Sequence, residues 1–266
     1  MPNLNNKVIW LTGASSGIGE ALAYALARKK VKLILSARRK EELERVKGNC
    51  PAEAQANIRV LPIDLSQSST LQLSTQAAIQ IFGHIDILIN NGGISQRSLI
   101  KDTSLDVDRK LMEVNYFGAI GLTKFLLPHF IRQKHGHFVV VSSLTGKFGT
   151  PYRSGYAASK HALHGFYDAV RAEHYSDNIK VTMICPGFIH TRLTFAALTG
   201  DGSALNKMDE AQYKGKPADW CARKIIKAIE NNKEEVYIGG REVWGAYIKR
   251  FFPSLFSRII RKVAVR

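Results

Sequence analysis

The sequence predicts an α/β fold, a doubly wound sheet of seven parallel strands with helices on both faces. Two observations predict it. Short apolar runs of strand length alternate with segments of helical periodicity, as repeated strand–helix–strand units require. The first run, Val8–Leu11, passes directly into Gly13, Gly17 and Gly19 and then into an amphipathic segment from Glu20 to Lys29. At 266 residues the chain fits one domain of this class. Residues 1–240 are assigned to that domain and 241–266 to a basic tail.

Strand, glycine turn and helix in succession give the glycine spacing its meaning. Lacking a Cβ, Gly13 has access to turn dihedrals closed to other residues. Gly17 and Gly19 let the backbone and the helix approach a bulky ligand and the sheet. Ser15, Ser16 and Ile18 complete the loop. The helix start directs unpaired N–H groups and the positive end of its dipole at that ligand, and a pyrophosphate is the natural occupant. An ordinary tight turn is the plainer alternative.

The second strand, Val31–Ser36, ends in Ala37, Arg38 and Arg39. In dinucleotide folds a carboxylate near this point binds the adenosine ribose hydroxyls. A carboxylate would repel a 2′-phosphate, whereas an arginine pairs with it, so NADP(H) is expected over NAD(H). The third strand, Ile58–Ile63, ends at Asp64 and Leu65. That carboxylate has two equal readings, an acceptor for an adenine amino group or a cap for the helix Ser68–Phe82. The fourth strand, Ile85–Ile89, runs into Asn90, Asn91, Gly92 and Gly93, read as a turn or as a wall of the cofactor cleft.

Leu105 to Lys134 reads as one long helix or two in series. Asn115 and Gly118 are poor helix residues. Their place inside an apolar helix calls for a kink, tight packing or a functional amide. His129, His135 and His137 have no ligand-like partners and read as surface or packing residues. The fifth strand, Phe138–Val141, ends at Ser142 and Ser143, and a loop leads to a helix from Tyr156 to about His174. Tyr156 and Lys160 share one helical face. An ammonium beside a phenol lowers the phenol's pKa and suits it to proton transfer. Ser143 stands at a strand end facing the same cleft.

The sixth strand, Lys180–Cys185, is followed by Pro186, Gly187, Ile189 and Thr191, and then by a poorly patterned stretch. We read about 190–217 as a substrate lid. Its Phe195, Leu198, Leu205 and Met208 point to an apolar substrate, and no basic cluster within it suggests an anionic one. A helix, Asp219–Asn231, and a short strand, Glu235–Ile238, complete the domain.

Net charge is +16, which favours anionic partners. No nucleic-acid motif accompanies the charge, and none is expected. Cys50, Cys185 and Cys221 are too few and scattered for a disulfide framework, and no metal-ligand cluster is visible. A reducing, cytoplasmic setting is the expectation. No apolar run approaches the ~18–20 residues of a membrane span, and the N-terminal hexapeptide shows no signal peptide. From Arg241 to Arg266 seven basic residues face one acid, a net of +6. Beyond Pro253, Leu255, Phe256, Ile259, Ile260 and Val263 fall at helical spacing. An interfacial helix on anionic lipid and a helix packed on its own domain or a partner are equal readings.

Taken together, Thr12 to Gly19, Asp64, Asn90 to Gly93, Asn115, Ser143, Tyr156 with Lys160, and Pro186-Gly187 resemble the short-chain dehydrogenases/reductases over roughly residues 5–240. Leu33–Arg39, Asn90–Ser98, Asp102–Asp106 and Ala158–Leu163 are closer still to the dehydrogenase/reductase member-7 group. The resemblance implies a Rossmann sheet and NADP(H)-dependent reduction of steroid-, retinoid- or xenobiotic-like carbonyls. It further implies a homodimer or homotetramer, and an association with membranes. Tyr156 would exchange the proton with the substrate oxygen and Ser143 would hydrogen-bond that oxygen. Lys160 would lower the Tyr156 pKa and hold the nicotinamide ribose. Asn115 would anchor a proton-relay water. Two departures stand out: the N-terminal membrane anchor expected of the group is not seen, and Gly92 replaces a common alanine. A non-catalytic NADP(H)-binding regulator or scaffold is the alternative, opposed by the presence of Ser143, Tyr156 and Lys160.

Overall fold

The computed structural model describes residues 4–191, 193–207 and 209–262. Met208 of the lid and Val263 of the tail stripe lie outside these described residues. The strands are β1 (Val8–Thr12), β2 (Lys32–Ser36), β3 (Ile58–Val60), β4 (Ile87–Asn90), β5 (Gly136–Val141) and β6 (Ile179–Pro186). Two-residue strands β7 (Ile189–His190) and β8 (Lys216–Pro217) pair only with each other, and β9 (Glu235–Ile238) ends the series. The main sheet has seven strands in the order β3-β2-β1-β4-β5-β6-β9, all parallel, as expected.

The alternating pleat divides the apolar runs between two cores. From β1, Ile9 and Leu11 enter the core covered by α1 (Gly17–Ala27) and α9 (Ala218–Glu230). Val8 and Trp10 enter the opposite core. A short excursion, α2 (Lys40–Gly48) and α3 (Ala52–Gln55), leads into β3. The second core is covered by α4 (Leu71–Phe82), α6 (Gly118–Gln133) and α7 (Ser154–Glu173), with α5 (Leu105–Met112) packed beside α7. Burial on both faces makes the central strands β1, β4 and β5 largely apolar runs, whereas the edge strands β3 and β9 carry exposed charges at Arg59 and Glu235.

Two elements differ from expectation, and a third takes one of its two expected forms. The third strand ends at Val60, although Leu61 and Ile63 still donate to the carbonyls of Leu35 and Ala37; Pro62 between them sits on the open edge, where its missing N–H costs no ladder bond. The Ser68–Phe82 helix opens with a tighter 3₁₀ turn, Ser68–Thr70. The long helix is two in series, α5 and α6, joined by a π-helical turn at Glu113–Phe117.

The lid is a pinned strap rather than an open loop. Leu198 donates to the Ser95 carbonyl and accepts from the Arg97 N–H, both at 2.8 Å. A short helix, α8 (Glu210–Tyr213), precedes β8. The tail forms α10 (Trp244–Phe251) and α11 (Pro253–Ile260). Its expected stripe is divided: Phe256 is buried with Ala246 against Leu144, Phe148 and Cys185, and Ile260 packs beside them. Leu255 and Ile259 stay exposed with Trp244, Phe251 and Phe252. Among the described residues no helix is long and apolar enough to cross a membrane.

Two glycines test this packing. A Cβ at Gly118 would lie 2.7 Å from the Leu65 backbone oxygen, whereas at Gly165, within α7, it would meet nothing within 4 Å. Gly165→Ala is expected to raise the melting temperature through a gain of up to ~1 kcal/mol. Gly118→Ala is expected to cost about 1–3 kcal/mol. Thermal denaturation showing the same sign for both would contradict the packing described.

Candidate active site

Strand order reverses between β1 and β4, so the loops at their C-terminal ends diverge and leave a crevice. The cleft has a volume of about 1670 Å³. That exceeds the roughly 300–1,000 Å³ of a site for one drug-sized molecule. All the expected catalytic and cofactor-binding residues line it except Gly19 and Asn115, which stand just behind its wall.

The glycine turn forms the floor. Gly13 has a φ of 63°, and a Cβ there would lie 2.7 Å from the Gly92 Cα. A Cβ on Gly19 would collide with the Gly13 carbonyl oxygen. Ser16 precedes α1 without a side-chain cap, so the first N–H groups of that helix are left uncapped beside the crevice that Ser16, Gly17 and Ile18 line. Thr191 closes over Gly17 from the other side. Asn91 fastens this floor to β4: its Nδ2 donates to the carbonyls of Thr12 and Gly13 at 3.1 and 3.2 Å. The backbone N–H groups of Asn91 and Gly92 both donate to the Thr12 hydroxyl. The Asn91 amide therefore builds the turn. The methyl of an alanine at position 92 would crowd only the flexible Leu65 side chain.

At the β2 end, Arg38 and Arg39 are exposed and line the cleft, and neither has a carboxylate partner among the described residues. Asp64 is not a helix cap. Its Oδ1 accepts from the N–H and hydroxyl of Ser66, two residues on, while Oδ2 has no protein partner among the described residues. Exposed arginines and a free carboxylate oxygen fit the adenosine half of a dinucleotide, and the bare helix N-terminus fits its pyrophosphate.

At the other end, β5 delivers Ser143, and α7 presents Tyr156 and Lys160 on one face. The Ser143 hydroxyl accepts from the Thr145 N–H at 3.1 Å and from its hydroxyl at 2.9 Å. Lys160 Nζ donates to the Val141 carbonyl at 2.8 Å and stands 5.8 Å from the Tyr156 ring centroid. Burial pushes the Lys160 pKa down to about 8. Burial also pushes the Tyr156 phenol up, against a hydrogen bond from Ser143 and the positive charges of Arg153 and Arg97. Arg153 and Arg97 thus add to the positive charge that the sequence placed beside the phenol. The Lys160 ammonium is turned to a backbone carbonyl, with its pKa lowered by burial.

Asn115 sits in the π turn and is buried. Its Oδ1 accepts from the Ile94 N–H, and its Nδ2 donates to the Ile94 carbonyl and the Ser159 hydroxyl. Both amide donors are therefore occupied, and the side chain clamps Ile94, just past β4, to Ser159 of α7. A π-helical turn, the close packing of Gly118 against Leu65 and a fully bonded Asn115 amide occur together here.

Sequence reasoning missed three groups. Gln96, fully buried, accepts through Oε1 from the N–H groups of Gly155 and Tyr156 and so caps α7. Arg97 and Arg153 converge on Asp209 of the lid, at 2.7 and 3.1 Å, with all three side chains under a tenth exposed. The lid composition pointed to an apolar substrate end, but both arginines enter from outside the lid and line the cleft. Arg153 lies just before Tyr156 in sequence, yet nothing local marks it as buried.

A family model described as short chain dehydrogenase matches residues 7–200. A dehydrogenase/reductase SDR family protein 7-like from Anopheles gambiae is 44% identical over 98% of this chain and 84% of its own length. The human dehydrogenase/reductase SDR family member 7 is 45% identical over 94% of this chain and 76% of its own. Among solved structures, a short-chain dehydrogenase from Streptomyces avermitilis matches at a TM-score of 0.81 and 25% identity, over 97% of this chain and 96% of that one. A short-chain dehydrogenase/reductase from Burkholderia phymatum in complex with NAD matches in fold at 0.83 and 21% identity, over 96% of each. The chain belongs to the short-chain dehydrogenase/reductase family of oxidoreductases, on a Rossmann nucleotide-binding fold and within its member 7-like group.

Proposed function

We propose that the chain is an NADP(H)-dependent oxidoreductase that interconverts a carbonyl and a primary or secondary alcohol on a small, largely apolar substrate. The observation that supports this most directly is that Ser143, Tyr156 and Lys160 open into the same cleft as the glycine turn. The nicotinamide cofactor supplies hydride when bound; the protein supplies position and electrostatics. Tyr156 gives its proton to the carbonyl oxygen, or takes one from the alcohol in the reverse direction. Ser143 hydrogen-bonds that oxygen and stabilises charge as it builds. Lys160 holds the nicotinamide ribose. Asn115 and Gln96 keep Ile94 and the start of α7 in register with these groups. Apolar walls from Ile94, Phe188, Leu193 and Phe195 favour an apolar substrate body. Assembly as a dimer or tetramer belongs to the same proposal.

A panel of ketones and aldehydes, followed by NADPH absorbance, tests the activity. Tyr156→Phe is expected to lower kcat by at least about a thousandfold, within the range of one lost acid–base group and oxyanion donor. NADPH binding by that variant should stay within about threefold of the parent, a margin near 0.7 kcal/mol. Near-normal kcat would remove the assignment. NADP(H) preference rests on Arg38 and Arg39. Replacing both with alanine is expected to weaken NADPH by about tenfold to a hundredfold and to leave NADH nearly unchanged. A parent enzyme that prefers NADH would overturn this part.

The tail adds a peripheral contact with anionic membrane. Trp244, Phe251, Phe252, Leu255 and Ile259 are exposed among Lys249, Arg250, Arg258 and Lys262. Apolar side chains ringed by cations suit a lipid surface. Flotation with phosphatidylserine vesicles should carry the full chain but not a variant in which Trp244, Phe251 and Phe252 are serine. Failure of the full chain to float would exclude the contact.

A further inference from the structure

Two guanidinium groups and one carboxylate are buried at the substrate end of the cleft, and their roles differ. Arg97 uses its donors within the protein. Nε bonds Asp209, Nη1 bonds the Ser95 hydroxyl and the Gln96 carbonyl, and Nη2 bonds Thr194. Arg97 is therefore a fixed part of the wall that holds the lid carboxylate. Arg153 is different. A guanidinium carries five N–H donors. Arg153 uses one of them, from Nη2 to the Asp209 carboxylate it shares with Arg97. No other protein acceptor among the described residues takes a hydrogen bond from it, although its residue is only 5% exposed.

Arg153 lines the cleft, with its guanidinium 5.8 Å from the ring centroid of Phe188, an aromatic neighbour in the same wall. It stands at the N-cap position of α7, immediately before the turn that carries Tyr156, and its charge acts on the phenol. A buried cation without a full set of acceptors is costly unless a partner satisfies it. Two arginines against Asp209 leave an excess of one positive charge. A monoanion matches that excess, whereas a phosphate dianion would carry surplus negative charge into a poorly solvated wall. The planar fork of a guanidinium matches the two oxygens of a carboxylate.

We propose that Arg153, backed by the Arg97–Asp209 pair, is a recognition site for a carboxylate on the substrate. The substrate class is then an oxo acid or hydroxy acid with an apolar body, its reacting carbon at Tyr156 and its carboxylate at Arg153. The assignment of the reacting carbon rests on the reductase reading above; the anion site itself does not. Arg153 sets specificity, and Ser143 and Tyr156 carry the chemistry.

The test needs no turnover. Calorimetric titration of the full chain with 4-phenylbutanoate and with 4-phenylbutanamide compares a carboxylate with its neutral counterpart. It is run with saturating NADP⁺ and without cofactor. The acid is expected to bind at least about tenfold tighter than the amide, the worth of one charge-assisted hydrogen bond. Arg153→Met should reduce that ratio to within about twofold, and Arg153→Gln supplies the same reading with a polar replacement. Dependence on Arg153 separates this site from binding at Arg38 and Arg39. Equal affinity for acid and amide in the parent chain, or a preference untouched by both substitutions, overturns the proposal. An acid preference in a chain that reduces no carbonyl would support the anion site and remove the reductase reading. Reduction of neutral ketones with no acid preference would do the reverse.

Discussion

The amide of Asn91, bonded to the carbonyls of Thr12 and Gly13, joins the two strands between which the sheet changes direction. That join decides where the cleft lies. The strands stay paired while the loops that follow them diverge, and the bridge holds the glycine turn against the end of β4. With the bridge in place the helix N-terminus, the end of β4 and, one strand further, Ser143 just past β5 keep constant spacing. Each bond alone contributes about 1 kcal/mol. Their larger effect is positional, because Gly13 and Gly19 have no room to shift without meeting backbone.

The second constraint is burial of ionisable groups. Removing water from the substrate end drives the Tyr156 phenol and the Lys160 ammonium toward their neutral forms. A lysine gives way readily under such burial, here to about 8. An arginine does not: burial lowers Arg153 only to about 10, so it keeps its charge at neutral pH. The arginines are thus the dependable cations of the wall, and they oppose the rise of the phenol. Asp209 couples this electrostatics to the lid, since the same carboxylate anchors the strap to both guanidinium groups.

Much of this was legible in the sequence for a physical reason. Strands buried on both faces read as short apolar runs, so β1, β2, β4, β5 and β6 could be placed within two residues or so. The glycine turn and the Tyr156–Lys160 pair are local patterns, visible within one turn of helix. The groups that escaped notice depend on contacts between distant segments. Arg97 meets Asp209 across 112 positions, and Gln96 caps a helix 59 residues away. Neither residue differs in type from a solvated surface residue. The tail shows the same limit: periodicity placed Leu255 and Phe256 on one stripe, but only the neighbouring Phe148 decides that Phe256 turns inward.

The central claim is that hydride and proton meet at one carbonyl between the cofactor cleft and Tyr156. It is tested most directly by following the hydride itself. NADPH deuterated on the transferring face of the nicotinamide ring would be supplied with the best carbonyl substrate, and the product examined by mass spectrometry. The account expects an alcohol with one deuterium on the former carbonyl carbon and none elsewhere. A product alcohol without that deuterium, or NADPH bound in the cleft with no transfer to any carbonyl, would contradict it.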